Sequence, residues 1–73
     1  MTTPTRQVLA VLSTADGALY GLQIARRAGL GTGTVYPILH RLLSCDLVKR
    51  TEEQDPHPGR PPRRFYELIR EAT

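Results

Sequence analysis

Seventy-three residues leave room for one domain, residues 1–73, and a chain this short buries only about 60% of its unfolded surface, too little to enclose an enzyme-sized cleft. With 40% apolar and 23% charged residues, disorder throughout is excluded, and with one Phe, three Tyr and no Trp the core has to be aliphatic. The net charge of +3 suits an anionic partner without demanding one.

The lone Cys45 rules out an internal disulfide and fits a reducing compartment; at the end of an apolar helix face it reads as a small buried hydrophobe. No apolar run approaches a membrane span and the N-terminus has no signal-peptide pattern, so a cytoplasmic protein with no membrane partner is expected.

A first helix opens at Thr3-Pro4-Thr5, where Thr3 can cap free amides and Pro4 suits the first turn. Val8, Leu9, Val11, Leu12 and Ala15 form its apolar stripe, and Asp16-Gly17 ends it. Ala18-Leu19-Tyr20 is a short strand or an extended link. The second helix spans about Gly21 to Ala28, with Gly29 as a left-handed terminator and Leu30 folding back.

Between Thr32 and Cys45, Val35, Ile38, Leu39, Leu42 and Leu43 fall on one narrow helical face. The opposite face carries Gly33, Pro37, His40, Arg41 and Ser44, flanked by Thr34 and Tyr36, with no acidic residue. Such a face can enter a DNA groove without steric or charge conflict. Either Thr32 or Thr34 can cap this third helix; Thr34 is preferred, because a start at Thr32 puts Pro37 beyond the first turn at the cost of a hydrogen bond.

Asp46 closes the third helix in a left-handed conformation, and Leu47–Glu52 and Arg63–Leu68 read as two strands. The loop 53–62 between them, with four prolines and a glycine, makes a hairpin with a stiff tip. Glu71 and Ala72 could begin a further helix. The expected inward set is Val8, Leu9, Leu12, Leu19, Leu22, Ile24, Ala25, Leu30, Val35, Ile38, Leu39, Leu42, Leu43, Leu47, Tyr66 and Leu68. The whole is an α+β winged helix-turn-helix, three helices plus a two- or three-stranded β-wing.

The segments Tyr20-Gly21-Leu22-Gln23-Ile24, Gly33-Thr34-Val35-Tyr36-Pro37-Ile38-Leu39-His40-Arg41-Leu42, Leu47-Val48, and Gly59-Arg60-Pro61 with Arg64-Phe65-Tyr66-Glu67-Leu68 resemble the PadR-type transcriptional regulators. The resemblance covers nearly the whole chain as that family's DNA-binding domain. The family's C-terminal helical region, through which its members generally dimerise, lies beyond it. Asp46 stands where the family usually has Gly, and Ile69 where it usually has Thr. The resemblance implies repression by a dimer on an inverted-repeat operator, with Thr32, Thr34, Tyr36, Pro37, His40 and Arg41 in the major groove.

Arg41 can fork onto guanine or grip a phosphate, the alternative being a solvated surface arginine. Tyr36 suits a phosphate hydrogen bond or packing under the wing. His40 is a groove or phosphate contact rather than a metal ligand, and His57 stands alone, so no metal or other cofactor is expected. The wing tip Gly59-Arg60-Pro61 resembles the short core of minor-groove AT-hooks, and Arg63 and Arg64 can clamp flanking phosphates. Glu52, Glu53 and Asp55 work against this by turning from DNA or pairing with those arginines.

No paired carboxylates, nucleophile–base arrangement or phosphate-cradling glycine loop points to an enzyme. The leading expectation is a sequence-specific binder of double-stranded DNA, a repressor working as a homodimer. The alternatives are an architectural recombination or excision factor and a winged-helix module that binds protein.

Overall fold

The computed structural model describes residues 3–55 and 57–70. In chain order these form α1 (Thr3–Thr14), β1 (Leu19–Tyr20), α2 (Gly21–Ala28), α3 (Thr32–Ser44), β2 (Val48–Glu52) and β3 (Arg64–Leu68). A further helix at Glu71–Ala72 lies outside the described residues. Thr3 is the first helical residue of α1, so the cap position before it also lies outside them.

The three helices pack around Val8, Leu12, Ile24, Ala25, Val35, Ile38, Leu39 and Leu42, all buried. Leu39, Ile24, Val8 and Val35 are sealed from solvent, and such side chains contribute roughly 1.5–3 kcal/mol each. Leu9, Val11, Ala15, Leu30, Leu43 and Leu68 pack around this centre. Leu22 and Leu47, expected inside, are exposed. Val48, not expected there, is buried. Strand alternation explains the exchange, since Val48 opposite Leu68 points toward the helices and its neighbour Leu47 cannot.

The sheet is antiparallel with order β1-β3-β2, so the wing has three strands and β3 lies in the middle. Leu19 faces Tyr66 from one side, and Val48, Arg50 and Glu52 face Leu68, Tyr66 and Arg64 from the other. Paired residues share a face. Leu19, Val48, Tyr66 and Leu68 therefore cover the helices, while Arg50, Glu52 and Arg64 continue the same face outward. Arg70, just past β3, donates from Nη2 to the Ser13 carbonyl at 2.8 Å, tying the sheet to the electronegative end of α1.

Both α2 and α3 end in a left-handed residue flanked by a pair of returning hydrogen bonds. At Gly29 (φ 71°), Gly29 N–H donates to Arg26 O and Leu30 N–H to Ala25 O. At Asp46 (φ 59°), Asp46 N–H donates to Leu43 O and Leu47 N–H to Leu42 O. Each pair is the Schellman pattern, which satisfies carbonyls that the helix end would leave open.

The third helix begins earlier than the proline favours. Gly31, not either threonine, occupies the cap position, and its carbonyl accepts from Thr34 N–H at 3.0 Å and Val35 N–H at 3.1 Å. Pro37 accordingly lies inside the helix and leaves the Gly33 carbonyl without its usual donor. Both residues are exposed, so water can serve that carbonyl. Cys45, expected in the core, is exposed as well.

Because Asp46 holds a conformation that costs an L-residue roughly 1 kcal/mol, Asp46→Gly should stabilise the fold by about 0.5–1 kcal/mol. In a domain this size that is a rise of several degrees in Tm, readable by circular dichroism. A lower Tm would contradict this assignment of strain.

Candidate nucleic-acid interface

All six residues expected to contact DNA from α3, namely Thr32, Thr34, Tyr36, Pro37, His40 and Arg41, are solvent-exposed. They are held outward because Val35, Ile38, Leu39 and Leu42 are buried on the opposite side. With glycine at the cap there is no side-chain oxygen over the first turn, so the positive end of α3 is open to an outside acceptor.

The wing is organised by Glu53. Arg60 donates from Nη1 to Glu53 Oε1 at 3.0 Å and from Nη2 to Oε2 at 3.2 Å, a two-pronged pair. Arg63 N–H also donates to Oε1 at 3.2 Å, and Glu53 N–H donates to the Arg63 carbonyl at 2.7 Å. Hydrogen bonds from Arg60 and the Arg63 backbone hold the Glu53 carboxyl below its usual range. The proline-rich loop is therefore closed at its neck by one carboxylate, and the guanidinium of Arg60 is engaged inside the protein.

The other cations divide in the same way. Arg63 lies over the Tyr20 ring, 4.5 Å from its centroid, and Tyr20 meets Phe65 edge-on at 5.9 Å. Lys49 and Glu67 form a 3.5 Å surface pair of the kind that stabilises little. Arg41, Arg50 and Arg64 are exposed and make no ion pair among the described residues. Arg50 was absent from the sequence-based site; its signal is the alternation along β2, which puts it on the same face as Arg64.

An open cleft of about 360 Å³ separates α3 from the wing, lined by Tyr20, Gly21, Tyr36, Pro62, Arg63, Arg64 and Tyr66. Tyr36 reaches across the start of α2: a β-carbon on Gly21 would fall 2.5 Å from the Tyr36 hydroxyl oxygen and 2.6 Å from two ring carbons. Only glycine admits that close approach. The structure thus brings Tyr36, Arg63 and Arg64 to one cleft, with no carboxylate among the lining residues, and leaves Arg60 on Glu53.

The model of the transcriptional regulator PadR-like family matches residues 8–71. The chain belongs to that family. The PadR-like family is one of transcriptional regulators, not enzymes. Among solved structures, the chain is similar to a PadR family transcription regulator from Clostridium difficile, with 25% identity, a TM-score of 0.75, and coverage of 93% of this chain and 73% of that one. A PadR-like transcription factor from Bacteroides fragilis is 28% identical with a TM-score of 0.65, over 88% of this chain and 65% of that one. The RV1404 protein of Mycobacterium tuberculosis, 23% identical with a TM-score of 0.73, shares the fold over 94% of this chain and 44% of its own. The chain thus spans less than half of that protein. No curated protein matches in sequence. Among the described residues, no helix is long and apolar enough to cross a membrane.

The Glu53 clasp has a definite pH dependence. A carboxyl with its folded-state pKa lowered contributes stability that is present above the unfolded value and lost as pH falls through the folded one. Acidification below the usual carboxylate range should therefore open the loop neck, seen as a lower protection of the Arg63 amide relative to its intrinsic exchange rate at each pH. Glu53→Gln should show that lower protection at neutral pH, and an unchanged rate would remove the clasp's structural role.

Proposed function

We propose that this PadR-like chain is a sequence-specific double-stranded DNA-binding module of a transcriptional repressor, with α3 in the major groove and the wing on the adjacent backbone or minor groove. One observation carries the reading: Tyr36 of α3 and Arg63 and Arg64 of the wing wall the same carboxylate-free cleft, so groove-reading and backbone-holding groups lie side by side. The exposed, acid-free face of α3 supports it independently.

In this mechanism Thr32, Thr34, Tyr36, Pro37, His40 and Arg41 meet the duplex along α3. Arg41, exposed and without an ionic partner, forks onto a guanine edge. Pro37 offers a flat apolar surface to a thymine methyl or a sugar. Arg50 and Arg64 neutralise phosphates, and Arg63 joins them from its seat on Tyr20. Arg60 reaches an A·T-rich minor groove only by exchanging Glu53 for DNA, so its first duty is to shape the tip. A single module of this size makes a small interface, and two copies on a symmetric site supply the specificity. The cytoplasm, where the DNA is, is its place of action.

Selection of bound duplexes from random sequence tests the reading, with paired, symmetric half-sites as the expected outcome. On the selected site Arg41→Ala should cost about 1–3 kcal/mol and relax preference at one base position. The affinity should fall with log[salt] at a slope of about −0.9 per phosphate contacted. Failure of the wild-type chain to bind any duplex at low salt would reject the proposal.

A further inference from the structure

Tyr66 is 4% exposed, wedged on the central strand between Leu19 and Arg50, and its hydroxyl has no hydrogen bond within the protein. A buried tyrosine hydroxyl normally finds a partner, and phenylalanine would fill the same core position without desolvating one. No unpaired polar side-chain atom is fully sealed among the described residues, and Tyr66 lines the cleft between α3 and the wing. The hydroxyl therefore keeps some access to solvent, and this cleft is the opening that Tyr66 lines.

The other groups around it are also donors. The start of α2 lines the cleft: Tyr20 N–H is taken by Gln23 Oε1 at 3.1 Å, and the Gly21 and Leu22 amides of the first turn have no acceptor within the helix. Tyr36 lies against Gly21, and Arg64 lines the rim without an ionic partner. A helix N-terminus, two phenol hydroxyls and a free guanidinium around an open space make a seat for one oxyanion. Its wide mouth suits an anion carried on a polymer rather than an enclosed small molecule.

We infer that this cleft is a dedicated seat for a single DNA backbone phosphate, in which Tyr66 and the first turn of α2 fix the register between the recognition helix and the wing. The inference rests on the DNA-binding reading and adds to it a contact made through Tyr66 and the start of α2, beside Tyr36 and Arg64.

Binding of short duplexes of varied sequence, followed by fluorescence anisotropy, tests it. Tyr66→Phe removes an oxygen with no internal partner, so the melting temperature should stay unchanged while affinity falls about tenfold on every sequence alike. The salt slope should not change, because no charge is lost, whereas Arg64→Ala should lower it by about 0.9. Gly21→Ala displaces Tyr36, and its loss should not add to that of Tyr66→Phe, since both act on one seat. If wild type binds DNA and Tyr66→Phe binds within about twofold of it, the seat is rejected and the DNA-binding reading stands. Wild type without duplex affinity rejects both. Inorganic phosphate at millimolar concentration should leave the Tyr66 ring resonances unmoved; a saturable shift would assign the cleft to a free anion and overturn the proposal.

Discussion

Whatever the outer face of α3 can do depends on how firmly its inner edge is held. Val35 and Leu39 are sealed against α1 and α2, with Ile38 and Leu42 nearly so. That aliphatic strip fixes the rotation of the helix about its own axis. A change of phase by one residue would swing Arg41 and Tyr36 through about 100° and bury polar groups in their place. The same strip outweighs the local cost of Pro37, because burying four apolar side chains gains more than one exposed hydrogen bond loses.

The sheet acts as a second brace. Its central strand touches the helical core through Tyr66 and Leu68, β1 leads directly into α2, and Arg70 closes the far end on α1. The base of the wing and the start of α2 are consequently joined, and together with α3 they frame the cleft. Within the wing, the basic residues do different jobs. Arg60 and Lys49 are balanced by carboxylates and Arg63 is stacked, leaving Arg50 and Arg64 as charge the protein has not already used.

The positional periodicities of the chain carried most of the fold. Apolar spacing marked all three helices, Gly29 and Asp46 marked the ends of α2 and α3, and the proline-rich loop marked the hairpin. The errors cluster where a local preference met a competing tertiary demand. A threonine cap gave way to Gly31, whose carbonyl takes the Thr34 and Val35 amides. Leu47 and Val48 exchanged places because cross-strand pairing with β3, invisible in a linear pattern, sets which of two adjacent apolar residues faces the helices. Cys45 came out of the core because the Schellman turn at Asp46 begins beside it.

By itself the sequence determined the element order, the aliphatic character of the core and the acid-free face of α3, since each follows from residue type at a fixed spacing. Only the tertiary structure decided that Arg60 is clasped by Glu53, that Tyr36 rests on Gly21, and that Tyr66 lines the cleft between helix and wing. Those contacts join residues far apart in the chain, and no periodicity reports them. They depend on how the sheet is laid against the helices, which is fixed by packing.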